Sequence, residues 1–147
     1  MIINRKYKES EVPMESSTKQ FRKRNAILEC LRSTTAHPSA DMVHEMLQAE
    51  HPDISLATVY RNLSRFRSQG LIQCVATVRG IERFDANTEP HVHFICSGCD
   101  DVSDLHQIEV PHLSRTVEAT TGYAVESCQL TFTGLCQNCK NAKENIS

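Results

Sequence analysis

The 147-residue chain is long enough for one compact domain or for two small ones, each with a modest core. Its net charge of −2 conceals a division along the chain. Residues 1–85 carry 13 Lys and Arg against 10 Asp and Glu, a net of +3, whereas residues 86–147 carry 3 against 8, a net of −5. This division favours two domains, with a polyanionic partner for the basic half and cations for the acidic half.

The sequence pattern argues against a secreted or membrane-inserted protein. It contains no run of about 18 apolar residues, and its first residues lack the charged-then-apolar layout of a secretory signal. We therefore expect a cytoplasmic protein with no membrane partner. In that reducing compartment the seven cysteines should be metal ligands or buried thiols, since a disulfide framework belongs to oxidising environments.

The basic half begins with an arm and a first helix. Residues 1–17 are polar and show no sustained periodicity, so we expect a mobile arm. A helix is predicted from Thr18, because Ile27, Leu28 and Leu31 recur at helical spacing, and a cluster of basic residues lies near its start.

Two further helices follow, each with a serine at its N-cap. Ser39 is predicted to cap the second helix, which ends before Pro52, and Ser55 to cap the third, which ends at Gly70. The predicted apolar stripes are Met42, Val43, Met46 and Leu47 in the second helix and Leu56, Val59, Leu63 and Phe66 in the third.

A hairpin follows the helices. Residues 71–78 and 81–85 read as strands joined around Arg79 and Gly80. Three helices and a hairpin form a winged helix-turn-helix domain over residues 18–85, in which the third helix enters the major groove. A polar outer face often marks only a solvated helix, but here cations lie on the surfaces that this fold presents to phosphate. The predicted DNA-binding residues are Arg24, Ser55, Ala57, Thr58, Tyr60, Arg61 and Arg65.

The acidic half, residues 86–147, is predicted to be a small α/β dimerisation domain, which makes the whole chain α+β. Residues 91–96 and 100–105 read as strands, 111–121 as a helix and 123–135 as a longer strand. So few strands with exposed edges bury little surface. We therefore expect a twofold homodimer in which the sheets of two copies pair edge to edge.

Two Cys-x-x-Cys pairs mark the first candidate metal site. Cys96 and Cys99, followed after 36 residues by Cys136 and Cys139, can close a tetrahedral shell of four thiolates. This pattern is typical of structural zinc, here one Zn²⁺ per chain. Cys30 and Cys74 are interpreted as packed thiols.

Nitrogen and oxygen ligands form the second candidate site: His37, Asp85, His91, His93 and Asp104. A mixed imidazole and carboxylate set suits an exchangeable divalent ion such as iron(II), manganese(II) or zinc. Spacing alone does not assemble the site, because His37 is far from the others in sequence, and a lone histidine before a proline is usually a loop residue.

Two motifs resemble the ferric uptake regulator (Fur) family. The stretch Ser-Leu-Ala-Thr-Val-Tyr-Arg-Asn-Leu from Ser55 is similar to its recognition helix, and the His-x-His-x-x-Cys-x-x-Cys run from His91, with the distal Cys-x-x-Cys, is similar to its dimerisation domain. The resemblance covers about residues 19–139. It implies a homodimeric repressor of inverted-repeat operators, and it places the five nitrogen and oxygen ligands at the family's regulatory metal site.

Aspartates at both carboxylate positions resemble the peroxide-stress branch of the family, since iron sensors typically carry glutamates there. That branch implies one regulatory Fe²⁺ or Mn²⁺ per chain, oxidation of His37 and His91 by peroxide in the iron form, and release of DNA. One departure is Phe-Arg-Lys-Arg from Phe21, where members often have Thr-Pro-Gln-Arg, so that only Arg24 is kept.

Three alternatives remain open. A metal-uptake repressor would sense iron, manganese or zinc without oxidation. A small zinc hydrolase would need a catalytic motif such as His-Glu-x-x-His, which the sequence lacks, so we expect no enzyme. A thiol-redox sensor would use the two cysteine pairs, and peroxide would eject zinc first.

Overall fold

The computed structural model describes residues 16–146, and the arm expected at 1–17 lies outside the described residues except at its last two positions, which begin a helix. The elements in chain order are α1 (Ser16–Arg32), α2 (Ala40–Leu47), α3 (Leu56–Ser68), β1 (Gln73–Val78), β2 (Ile81–Asp85), β3 (Val92–Cys96), β4 (Val102–Leu105), α4 (Val110–Thr121), β5 (Leu130–Gly134) and α5 (Gln137–Glu144). Within this range, no helix combines the length and the apolar character needed to cross a membrane.

Both predicted serine caps are confirmed. The Ser39 hydroxyl accepts a hydrogen bond from the Met42 N–H at 3.3 Å, and the Ser55 hydroxyl accepts one from the Thr58 N–H at 3.2 Å. Each bond satisfies a backbone donor that the first helical turn leaves without an intrahelical partner. The two serines therefore fix where α2 and α3 begin.

The apolar stripes of α1, α2 and α3 meet in the core of the first half. Phe66, Val43 and Val59 are fully buried there, and the hairpin contributes Phe84. One predicted stripe residue is different, because Met46 is 46% exposed. It lies on the outer edge of α2, whose inward face is made by Val43 and Leu47.

The hairpin forms as predicted. Strands β1 and β2 are antiparallel, with Val78 opposite Ile81, so the turn contains only Arg79 and Gly80. Both turn residues have positive φ, 51° and 79°, as a two-residue turn that matches the twist of the strands requires. This hairpin is the wing of a winged helix.

The second half is a three-stranded sheet in the order β4-β3-β5, with β3 antiparallel to β4 and parallel to β5. The strand predicted over residues 123–135 is too long, since β5 begins only at Leu130. Leu130 pairs with Val92, the first residue of β3, so the residues before Leu130 have no β3 partner. Pro90, which has no N–H, precedes that end of β3. Helix α5 was not predicted.

Few apolar side chains of the second half are buried in this single copy. Among its described residues the buried ones are Val92, Cys96, Val102 and Val110. Phe132 and Tyr123 remain 44% and 73% exposed. A core this small needs further support, which metal ligation or a second copy can supply.

Candidate metal centres and nucleic-acid interface

His37 joins the two halves of the molecule. It lies in the loop between α1 and α2, has a positive φ of 46°, and is 1% exposed. Its Nε2 is 2.7 Å from Oδ1 of Asp104 on β4. Its Nδ1 lies 3.7 Å from Oδ2 of Asp85, at the end of β2, and has no hydrogen-bond partner although it is buried.

His91 and His93 approach the same two carboxylates from β3 and the residue before it. Nε2 of His91 is 3.0 Å from Asp85 Oδ2 and 3.1 Å from Asp104 Oδ1. Nε2 of His93 is 3.4 Å and 3.3 Å from these oxygens. Ligand atoms of His37, Asp85, His93 and Asp104 all lie within 4.8 Å of one another. The fold thus brings together all five residues singled out in the sequence.

The electrostatics of this cluster suit a bound cation. Burial alone would raise the pKa of Asp85, but hydrogen bonds from His93 and from the Asn87 N–H outweigh it and lower that pKa. Burial acts to lower the pKa of His91, but its hydrogen bond to the Glu89 carbonyl and the charges of the site carboxylates raise it overall. Both shifts favour negative carboxylates facing positive charge, which a proton or a metal ion can provide.

A cavity of about 310 Å³ opens onto the cluster. His37, Asp85 and Asp104 form part of its wall, and the hydroxyl side chains of Thr34 and Thr35 form another part. The carboxylates and His37 can therefore be reached by small molecules from this side.

The four paired cysteines form a separate cluster. One sulfur from each of Cys96, Cys99, Cys136 and Cys139 lies within 4.8 Å of the others. The Cys96 sulfur accepts hydrogen bonds from the Cys136 N–H at 3.2 Å and the Gly98 N–H at 3.4 Å. The end of β3 therefore meets the start of α5 at this cluster.

The pKa values of the cysteines in the sulfur cluster shift in opposite directions. The Cys136 N–H lowers the pKa of Cys96 to about 6 against the opposing effect of burial. The neighbouring sulfurs of Cys136 and Cys96 raise the pKa of Cys139 to about 12. Four thiolates crowd together only when a cation neutralises them, and a tetrahedral divalent ion fits this requirement.

The remaining cysteines lie apart from this cluster. Cys30 and Cys74 are half-buried against the core of the first half, as predicted, and burial raises the pKa of Cys30. Cys128 lies with Cys74, His91 and His93 on a small cleft of about 40 Å³.

Helix α3 presents a polar outer face. Ala57, Arg61 and Arg65 are exposed, whereas Thr58 is half-buried. Tyr60 is 53% exposed and its hydroxyl donates a hydrogen bond to Oδ2 of Asp41 at 3.2 Å. Together with the Ser55 cap, these residues lie at the start and middle of α3.

Arg24 occupies a different environment from the other predicted DNA-binding residues. Its guanidinium is half-buried, lies 5.4 Å from the centre of the Phe66 ring, and donates a hydrogen bond to Gln69 Oε1 at 3.2 Å. These contacts tie α1 to the end of α3, so this side chain is not part of the outer face of α3.

His106 was missed in the sequence. Its Nε2 lies 3.9 Å from Oδ2 of Asp104, and its side chain is 73% exposed beside the cavity. The available signal in the sequence was its position two residues after Asp104, and in the structure it lies in the turn that follows β4.

Comparisons with known proteins agree with this arrangement. The model of the ferric uptake regulator family matches residues 15–133. The peroxide operon regulator of Bacillus subtilis is 36% identical over 135 residues, which are 92% of each chain. The peroxide-responsive repressor PerR of Staphylococcus epidermidis is 32% identical over 117 residues, 80% of this chain and 78% of that one.

A solved structure is also similar. The Campylobacter jejuni peroxide stress regulator superposes with a TM-score of 0.73 and 27% identity, covering 84% of this chain and 93% of that one. Both the match to the family model and the likeness to the Bacillus protein extend over the winged helix and the candidate ligands from His37 to Asp104. The chain therefore belongs to the ferric uptake regulator family.

Proposed function

We propose that the protein is a metal-dependent transcriptional repressor of the PerR type, which releases DNA in response to hydrogen peroxide. It is a regulator and not an enzyme. The observation that carries the proposal is the convergence of His37 and Asp85 from the winged-helix half with His91, His93 and Asp104 from the other half. The peroxide-responsive names of the similar proteins support the same conclusion.

The ligand cluster fits a regulatory divalent ion. His37 Nδ1 is a buried nitrogen with no partner, and it faces a carboxylate oxygen 3.7 Å away, which is too long for a hydrogen bond. A mixture of imidazole and carboxylate ligands suits iron(II) or manganese(II), one per chain. The sulfur cluster likewise suits one structural zinc per chain.

The position of the ligands explains how metal controls DNA binding. Only an arrangement in which the His37 loop faces β3 and β4 presents all five side chains to one ion. Metal affinity therefore differs between this closed arrangement and an open one, and that difference shifts the population toward the closed form. In a dimer, the closed form sets the separation of two α3 helices, which must match the two halves of an inverted repeat.

Peroxide sensing is assigned to His37 and His91. Both rings lie against Asp104 Oδ1, at 2.7 and 3.1 Å, and the 310 Å³ cavity leads to this carboxylate. Bound iron(II) would supply the redox chemistry with peroxide. In the net reaction, a ring C–H becomes C–OH, and hydrogen peroxide is reduced to water. An oxidised ring no longer binds the metal with the other ligands, so the metal no longer stabilises the closed form.

DNA recognition is assigned to the outer face of α3. Arg61 and Arg65 supply the cations, Ser55, Ala57 and Thr58 lie at the helix start, and Tyr60 flanks the face. Arg24, on α1, is assigned a supporting contact to phosphate. The wing lies along the backbone or the minor groove.

Substitution of Asp104 tests the regulatory site. Asp104→Ala should abolish manganese-dependent binding to a DNA duplex selected from a random pool, while the zinc content and the dimer are retained. Glu109→Ala is the matched control, because Glu109 is an exposed carboxylate of the same half outside the cluster. If Asp104→Ala keeps full metal-dependent binding, the proposed site is wrong.

Asp104→Glu separates the two branches of the family. We expect it to keep metal-dependent DNA binding and to lose the response to peroxide. If DNA binding by the unsubstituted protein does not respond to peroxide, the protein is instead a metal-uptake repressor that senses iron, manganese or zinc.

A further inference from the structure

The two metal centres are joined by one buried side chain, Arg83 on β2. Arg83 is only 9% exposed. Its Nε donates a hydrogen bond to the main-chain carbonyl of His37 at 2.5 Å, and Nη2 donates one to the carbonyl of Ala36 at 3.0 Å. Its Nη1 donates one to the carbonyl of Asp100 at 3.0 Å. One guanidinium thus binds the main chain of His37, which belongs to the regulatory cluster, and of Asp100, which follows Cys99.

Two residues with left-handed backbone conformations, His37 and Asp100, lie at this contact. Over residues 16–146, three non-glycine residues have positive φ: His37, Arg79 and Asp100. Two of them offer their carbonyl oxygens to Arg83, and the third, Arg79, pairs through Nε with the Asp100 carboxylate at 2.6 Å. Conformations that L-residues rarely adopt persist where surrounding contacts determine them, and they cluster at functional sites.

Asp100 belongs to the turn of the sulfur cluster. Its N–H donates to the Cys96 carbonyl at 2.9 Å, and the Cys96 N–H donates to the Asp101 carbonyl at 2.9 Å. The same Cys96 supplies a buried sulfur to that cluster. Closing a shell around the four sulfurs therefore fixes the orientation of the Asp100 carbonyl toward Arg83.

We propose that Arg83 is a positioning residue that couples the sulfur cluster to the regulatory cluster by holding the His37 main chain against the Cys96–Asp100 turn. The proposal rests on the proposed function of the regulatory cluster. The rigid fork of the guanidinium spans carbonyls from two halves of the molecule, which a lysine with a single ammonium head cannot do. Arg83 touches no ligand side chain in these contacts and acts through the backbone of His37.

The test uses full-length, zinc-loaded protein titrated with Co²⁺, whose visible absorption reports the ligands around it. Arg83→Met should weaken cobalt binding by roughly 10–100-fold, the cost typical of losing a group that orients a metal ligand. It should also change the cobalt spectrum while zinc content and dimer are kept. Arg83→Lys keeps the charge and should bind cobalt as weakly. Arg67→Met, the matched control, removes an arginine whose exposed ion pair with Glu82 lies outside these contacts, and it should bind cobalt normally.

Asp104→Ala is titrated beside these variants to separate the two claims. If Asp104→Ala binds cobalt like the unchanged protein, the regulatory site itself is wrong. If Asp104→Ala loses cobalt while Arg83→Lys binds as tightly and with the same spectrum as the unchanged protein, the coupling through Arg83 is overturned. Because Arg83→Lys keeps a buried cation, it decides the question even where Arg83→Met does not fold.

Discussion

At the scale of single residues, Gly98 sets how closely the two cysteine turns approach. A Cβ at this position would lie 2.9 Å from both Cβ and Sγ of Cys139 and 3.2 Å from a methyl group of Leu135. Real Cβ atoms essentially never show the shorter distance. The glycine is therefore required by the approach of the second turn.

Gly98→Ala should weaken zinc binding, because the added methyl pushes Cys139 away from the other sulfurs. The measurement is the zinc retained by the purified dimer in competition with a chelator. Asn138→Ala is the control, since Asn138 holds the equivalent position in the second Cys-x-x-Cys and is exposed. Equal zinc retention by the two variants would show that this contact does not limit the site.

The residues of the two candidate sites differ in how far the sequence could predict them. Cys96, Cys99, Cys136 and Cys139 follow from spacing, because each turn places two sulfurs together. His37 does not, because it lies 67 residues from Asp104 in sequence and approaches it only through the packing of the two halves. The role of Arg83 could not be foreseen, since its partners are main-chain carbonyls, which leave no mark in the sequence.

At the scale of elements, local signals fixed most boundaries and long-range pairing decided the rest. The serine caps and the Arg79-Gly80 turn act within a few residues, so α2, α3 and the hairpin were predicted. The extent of β5 depends on its parallel register with β3, from which it is distant in sequence, and apolar alternation before Leu130 was misleading. Helix α5 is short and has no buried residue, which leaves little apolar periodicity to detect.

Helix α3 provides a prediction for DNA recognition. Arg61→Ala should relax sequence preference, with a loss of about 1–3 kcal/mol of discrimination if the guanidinium reads a guanine. A uniform loss across sequences would assign it to phosphate instead. Binding is measured on matched and altered duplexes at fixed salt.

Arg67→Ala serves as the control for Arg61. It removes the same charge from α3, but Arg67 pairs with Glu82 of the wing at 2.8 Å and lies in the last turn. If Arg61→Ala changes neither affinity nor preference while the dimer remains folded, α3 is not the recognition helix.

At the scale of the whole molecule, the winged helix and the small sheet meet at the cluster of His37, Asp85 and Asp104. The second half buries few apolar side chains, and its Phe132 and Tyr123 are exposed in this single copy. Its candidate ligands face His37 and Asp85, and under the proposed function one ion bound there also fixes the angle between the halves. Arg83 adds a protein-only link at the same junction.

The central claim is tested most directly by DNA binding of the iron(II) and manganese(II) forms, each measured before and after a low dose of hydrogen peroxide. Mass spectrometry of the same samples locates any added oxygen. We predict that only the iron form loses DNA, with one oxygen atom added at His37 or His91 and zinc retained. Persistence of DNA binding in both forms, or loss of zinc through cysteine oxidation before any histidine is modified, would contradict the account.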